Sequence, residues 1–201
     1  MRASGQAPKK IIMDKTFNLI INGVGGQGVI TLLTLIDEAA FIEGYDVRSS
    51  ELHGLSQRGG SVETHIRFGK KVNSPLISNG RADLIISLEI LEALRETAKA
   101  GKQTKFLVND YFLPFQGSLP PEEIKKQISG IKNEVCLVPA SAMCKEKLQN
   151  EVVSTIYLLG YAVSKKFIPL EKESVLKAIE KAVPEKYRGL NIKAFNLAHD
   201  N

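Results

Sequence analysis

Residues 17–28 read Phe17-Asn-Leu-Ile-Ile-Asn-Gly-Val-Gly-Gly-Gln-Gly28, and Val29-Ile-Thr-Leu-Leu-Thr-Leu-Ile-Asp-Glu-Ala-Ala40 follows at once. The apolar run 17–22 predicts a buried strand. The G-x-G-x-x-G spacing predicts a tight turn, and residues 28–43 predict a helix stopped by Gly44. Glycine lets the backbone approach a ligand closely, and the helix behind it presents free N–H groups and a positive dipole end. In this frame Gly23 makes the turn, Gly25 admits a phosphate and Gly28 lets strand and helix pack. The turn suits a dinucleotide, another phosphate or carboxylate ligand, or the packing of a neighbouring loop. A dinucleotide also asks for an acid at the end of the second strand, about 20 residues on. Asp46 lies inside that strand and Glu51 falls late.

Outward from the turn, strand and helix patterns alternate. Strands are predicted at 45–50, 61–68, 83–88, 104–109 and 134–139. Helices are predicted at 90–100, 122–129, 140–148, 152–165 and 170–182, and a last stretch, 187–197, begins polar and turns amphipathic. Residues 61–68 alternate strictly, with Val62, Thr64, Ile66 and Phe68 on one face and Ser61, Glu63, His65 and Arg67 on the other, a half-buried strand. The pattern predicts an α/β three-layer sandwich with a mostly parallel, Rossmann-like twisted sheet and a helical C-terminal segment. Residues 16–198 read as one domain, behind a basic tail at 1–15 expected to be frayed.

Ligand crevices of open sheets lie at the carboxyl ends of the strands. The glycine turn and the polar stretch Glu51-Leu-His-Gly-Leu-Ser-Gln-Arg-Gly-Gly60 both follow strands and are predicted to converge there. Arg58 and the backbone N–H groups of this stretch can meet an anion. His53 is a candidate general acid or base, but no nucleophile or carboxylate stands at a telling spacing, so no catalytic residue is assigned. Glu89 and Glu92 sit where acids favour a helix dipole.

The composition, 43% hydrophobic and 24% charged over 201 residues, is that of a globular protein, and no apolar run approaches a membrane span. The net charge of +5 comes from lysines scattered without interleaved aromatics, a solvated surface rather than a nucleic-acid face. The N-terminus lacks a secretory signal's apolar stretch, so a cytoplasmic location is expected. Cys136, expected as a buried thiol in an apolar strand, and Cys144, in a helix, are too few for a zinc or iron–sulfur site, and no metal site is expected.

These residues carry a resemblance. Gly23-Val-Gly-Gly-Gln-Gly-Val29, Ser50-Glu-Leu-His-Gly-Leu-Ser-Gln-Arg-Gly-Gly-Ser-Val62, the 83–86 strand, Val138-Pro-Ala140, Leu158-Leu-Gly160 and Asn191-Ile-Lys-Ala-Phe195 run in the order seen in one family. The chain resembles the gamma subunits and gamma domains of 2-oxoacid:ferredoxin oxidoreductases, most of all the beta subunit of the indolepyruvate branch. The stretch 51–60 is the specific part. The tail after Phe195 departs from the pattern, lacking the glycine that commonly follows.

The resemblance implies a subunit of an enzyme that oxidatively decarboxylates a 2-oxoacid, such as an aryl pyruvate, to an acyl-CoA while reducing ferredoxin. It implies that thiamine diphosphate, magnesium and [4Fe–4S] clusters sit on a larger alpha subunit, that this chain binds none of them, and that coenzyme A is the co-substrate. Carried over, Gly23, Gly25, Gly26, Gln27 and Gly28 form an anion-binding or interface loop. Ser56, Gln57, Arg58, Gly59 and Gly60 face the same crevice, and His53 orients the second loop. A self-contained NAD(P)- or FAD-binding oxidoreductase and a non-enzymatic acyl-CoA- or nucleotide-binding module remain the alternatives.

Overall fold

The structure, a computed structural model, describes residues 13–54 and 59–199. Its strands are β1 (Phe17–Val24), β2 (Asp46–His53), β3 (Ser61–Gly69), β4 (Ala82–Ser87), β5 (Ala100–Asn109) and β6 (Glu134–Val138). They form one sheet in the order β2-β3-β1-β4-β5-β6. The pairs β1–β4, β4–β5 and β5–β6 are parallel, whereas β3 pairs antiparallel with both β1 and β2. Five strands therefore share one direction and β3 alone is reversed. This is the expected mostly parallel sheet, with one hairpin strand inserted beside β1.

Helices α1 (Val29–Ile42), α4 (Ala140–Leu148), α5 (Ser154–Ser164), α6 (Lys172–Ala182) and α7 (Glu185–His199) cover one face of the sheet; α2 (Ile90–Arg95) and α3 (Pro121–Ser129) cover the other. The sequence pattern explains the layering. Leu19 and Ile21 of β1 point into the larger core and Ile20 into the smaller, all fully buried. A strand covered on both faces reads as a continuous apolar run, as 17–21 does. In α1, buried Val29, Leu32, Leu33, Ile36, Ala39 and Ala40 recur at helical spacing. No helix among the described residues is long and apolar enough to cross a membrane.

Four local expectations are corrected. The strand predicted at 45–50 runs on to His53, because Glu51, Leu52 and His53 pair with Thr64, Glu63 and Val62 of β3; the hairpin supplies hydrogen bonds that polar side chains alone do not reveal. The helix predicted at 90–100 ends at Arg95 and gives way to a 3-10 turn over Glu96–Lys99. The Glu92 carbonyl takes the side-chain amide of Asn22 at 2.6 Å, and the Glu96 N–H goes to Leu94 instead. His65, predicted on a solvated strand face, is buried because the chain after β3 folds back and the Ile77 N–H donates to its Nδ1 at 2.9 Å. Cys136 is only half-buried, because β6 is an edge strand, and its thiol meets the Tyr161 hydroxyl at 3.1 Å.

Two distant sequence fragments meet in the larger core. Gly160 of α5 lies against the backbone of Phe195 in α7, and a Cβ at Gly160 would stand 2.3 Å from the Phe195 carbonyl oxygen. Helices α5 and α7 can approach this closely only while residue 160 has no side chain. Gly160→Ala is expected to cost about 2–3 kcal/mol by forced separation of the helices, read as a lower urea midpoint. Gly189→Ala, in α7 with open space around it, is expected to be neutral or to stabilise by up to about 1 kcal/mol.

Candidate functional site

The glycine turn sits at the carboxyl edge of the sheet and is built almost entirely from its own backbone. Val24, the last residue of β1, pairs with Ser61, the first of β3. Beyond that pair the Gly25 N–H donates to the Gly60 carbonyl at 2.8 Å, and the Gly59 N–H donates to the Gly25 carbonyl at 3.4 Å. The predicted convergence of the two loops is thus a direct hydrogen-bonded bridge. The reversed direction of β3 makes it, by starting that strand where β1 ends.

Within the turn, Gln27 folds back. Its N–H donates to the Val24 carbonyl at 3.0 Å, and its Oε1 accepts from the Val24 N–H at 2.8 Å. Gln27 therefore staples the turn, with its amide oxygen committed inside it. A Cβ at Gly23 would fall 2.9 Å from that oxygen and 3.0 Å from the Leu88 Cβ, so Gly23 is what admits the staple. Gly28 caps α1 with a left-handed backbone, φ 88°, and no side chain caps the helix. Among the described residues no side chain caps the N–H groups of the first turn of α1, and no acid lies among them, an arrangement that favours an anionic acceptor.

These groups open on a cleft of about 860 Å³ whose walls include Gly26, Gln27, Gly28, Asn109, Ser141 and Thr155. The size is that of small-molecule sites. Three helices begin there: α1 at Gly28, α4 beside Ser141 and α5 beside Thr155. Asn109, at the end of β5, fixes the start of α4: its Nδ2 donates to the Ser141 Oγ at 2.8 Å and its Oδ1 accepts from the Ser141 N–H at 3.3 Å. Glu151 is the one charged side chain on the described walls, which are otherwise amide, hydroxyl and apolar. Such a cleft offers an anion dipoles and donors rather than a formal positive charge.

Of the predicted site residues, the structure brings together Gly23, Gly25, Gly26, Gln27, Gly28, Gly59 and Gly60. Ser56, Gln57 and Arg58 lie outside the described residues. His53 ends β2 on the far side of β3, is exposed, and its Nδ1 lies 3.0 Å from the neighbouring Gly54 carbonyl. Asn109, Ser141 and Thr155 escaped sequence reading. The one signal for them was that an asparagine closes a strand and Val138-Pro-Ala140 opens the next helix.

Beneath the turn, on the opposite face of the sheet, acids gather. Glu89 caps α2, its Oε2 accepting from the Leu91 and Glu92 N–H groups at 2.7 and 3.0 Å; burial raises its carboxyl above the usual range. Glu92, 3% exposed, accepts from the Ser61 hydroxyl at 2.5 Å and from Arg95 at 2.6 Å. The His65 proton sits on Nε2, because Nδ1 accepts from Ile77, and it is directed at Glu63. That hydrogen bond holds the Glu63 carboxyl below its ordinary value. Glu96 is pushed up to about 7, first by burial and then by the charge of Glu63. Among the described residues no cluster of three or more His, Cys, Asp or Glu could hold a metal ion.

Comparison with known proteins gives this architecture relatives. Residues 18–201 match the family described as pyruvate ferredoxin/flavodoxin oxidoreductase. The indolepyruvate oxidoreductase subunit IorB of Pyrococcus horikoshii is 35% identical over 190 residues, covering 91% of this chain and 94% of that protein. The crystal structure of the gamma subunit of a keto/oxoacid ferredoxin oxidoreductase from Geobacter sulfurreducens superposes with a TM-score of 0.70 at 22% identity, over 92% of this chain and 96% of that one. A 2-oxoglutarate:ferredoxin oxidoreductase from Magnetococcus marinus, solved with 2-oxoglutarate, coenzyme A and succinyl-CoA, matches over 92% of this chain and 31% of its own, with a TM-score of 0.72 at 18% identity. At those identities the two structures share the fold.

The raised Glu96 carboxyl gives a pH signature. Between its unfolded value of 4.5 and its folded value of about 7 the native state binds the extra proton, so stability falls as pH rises through that window. Glu96→Gln removes the penalty and is expected to raise unfolding free energy at pH 8 by on the order of 2 kcal/mol. The gain should vanish near pH 4.5, as read from paired denaturant titrations.

Proposed function

The chain belongs to the pyruvate ferredoxin/flavodoxin oxidoreductase family and is a subunit of a 2-oxoacid ferredoxin oxidoreductase; from that premise we propose that its carboxyl-edge cleft completes the coenzyme A crevice of the assembled enzyme. The observation that carries this reading is the bridge between Gly25 and Gly59–Gly60. It holds both loops on one rim, beside the N-terminus of α1, which no side chain caps among the described residues and where an anionic group is favoured. The reaction proposed is oxidative decarboxylation of a 2-oxoacid to an acyl-CoA with reduction of ferredoxin. An aryl pyruvate such as indolepyruvate is the proposed substrate, supported by the 35% identity to an indolepyruvate oxidoreductase subunit.

Thiamine diphosphate with magnesium and the iron–sulfur clusters are proposed to reside on a larger partner subunit. The residues of this chain do not fit a cluster. Cys144 is fully buried and burial pushes its thiol up to about 11, away from the thiolate a cluster needs. Cys136 is engaged with Tyr161 on the sheet's edge. In the proposed crevice the backbone of the glycine turn and the α1 dipole orient a phosphate or carboxylate, and Arg58 supplies the positive charge that the described walls lack. His53 remains at most a residue that orients the second loop.

The topology speaks against a self-contained dinucleotide enzyme. In that arrangement the ribose-binding acid ends the strand next to the glycine turn. Here β3 occupies that place, setting β2 two strand spacings, about 9.6 Å, from β1. Asp46 starts β2 at the opposite edge, where it accepts from the Val72 N–H at 2.8 Å and pairs with Arg48 at 3.0 Å.

Reconstitution tests the proposal. The isolated chain should show no turnover with aryl pyruvates, and ferredoxin- or viologen-linked activity should appear when it is joined to a cluster-bearing partner. Equal turnover by the partner alone would refute the subunit role. In the complex, Arg58→Ala should raise the KM for coenzyme A about ten- to hundredfold, the loss of one charge-assisted contact of about 1.5–3 kcal/mol. An unchanged KM removes Arg58 from the site.

A further inference from the structure

We propose that Glu92, a buried carboxylate on the face of the sheet away from the cleft, is a positioning residue that clamps the glycine turn to the exit of the neighbouring loop. Its role in turnover rests on the crevice reading above; the clamp itself does not. Glu92 is 3% exposed, and a carboxylate so buried is tolerated only when its oxygens are engaged. One oxygen accepts from the Ser61 hydroxyl at 2.5 Å and the other from Arg95 at 2.6 Å. Its backbone carbonyl accepts from the Asn22 side-chain amide at 2.6 Å, and Asn22 is fully buried.

The partners decide the meaning. Asn22 is the residue before Gly23, and Ser61 is the residue after Gly60. The contacts therefore close a ring: Asn22 through Gly25 along β1 and the turn, across to Gly60 and Ser61, through the carboxylate to the Glu92 backbone, and back to Asn22. Among the described residues, Glu92 is the one that grips both sides of the bridge from outside the sheet. The bridge needs such a grip, since its outer rung, Gly59 to Gly25, is long at 3.4 Å. Arg95, with 48% of its side chain exposed, balances the charge and orients the carboxylate toward Ser61. An exposed i,i+3 pair on a six-residue helix would hold nothing but itself; here the same pair reaches the turn.

The test uses the complex carrying Ser61→Ala or Glu92→Gln, with Ser49→Ala as control, since Ser49 donates to Asp37 at 2.6 Å away from the ring. The readouts are amide hydrogen exchange by mass spectrometry in peptides covering 20–28 and 59–66, and steady-state kinetics in coenzyme A. The expected result is exchange several-fold faster in both peptides for Ser61→Ala and Glu92→Gln, with the KM for coenzyme A raised about tenfold and kcat within twofold of the parent. Ser49→Ala should move neither. Unchanged exchange in 20–28 overturns the clamp, and so does an unchanged KM in variants whose Arg58→Ala counterpart raises it. If Arg58→Ala also leaves KM unchanged, the crevice reading is what fails, and exchange alone then decides the clamp. Should Glu92→Gln not assemble, Ser61→Ala, which removes one oxygen from an exposed position, carries the test.

Discussion

The antiparallel ladder between β1 and β3, running from Phe17↔Phe68 to Val24↔Ser61, is the constraint on which the rest of the molecule depends. The loop that enters a parallel neighbour lies at the opposite edge of the sheet from the glycine turn; only the loop leaving such a strand reaches the turn, as Leu88 does after β4. The reversed strand begins where β1 ends, so two loops far apart in sequence share a rim and hydrogen-bond across it. The same reversal displaces β2 by one position and takes away the place where a dinucleotide-binding sheet keeps its ribose-binding acid. One pairing choice thus both builds the site and narrows what it can hold.

The cleft that results works through backbone. Helices α1, α4 and α5 begin beside it, Gly28 leaves α1 uncapped, and Glu151 is the only charge on the described walls. Formal charge is kept on the other face of the sheet, where Glu63, Glu89, Glu92 and Glu96 lie half-buried or buried among Arg95, Lys99 and His65. Burying acids there is costly, as the raised Glu96 carboxyl shows. The fold tolerates the cost where the carboxylate is tied to an element that must stay in place: Glu89 to the start of α2 and Glu92 to the start of β3.

Much of the architecture was legible in the residues. The continuous apolar run of β1, the G-x-G-x-x-G turn and the helical period of α1 placed the centre of the sheet, and strict alternation placed β3. The loops' meeting at the carboxyl edge followed from the rule for open sheets. What failed to read out has one physical source, contacts between residues distant in the chain. Asn22 diverts the Glu92 carbonyl and shortens α2; the chain at Ile77 covers His65; hairpin pairing extends β2 through polar residues to His53. Periodicity reports which face of an element is apolar, and none of these three effects changes that.

The sequence by itself determined the α/β class, the strand-turn-helix unit at 17–43 and the membership of the glycines in the turn between them, because these rest on local backbone freedom and on burial patterns within one element. Tertiary structure alone decided that β3 stands between β1 and β2, that Asn109, Ser141 and Thr155 complete the cleft, and that Gln27 staples the turn instead of facing outward. It also decided that Glu92, which reads as an ordinary acid in a helix's first turn, faces inward to Ser61. A hydrogen bond between positions 31 residues apart leaves no trace in the spacing of either one. It exists only because the sheet brings their backbones to the same edge.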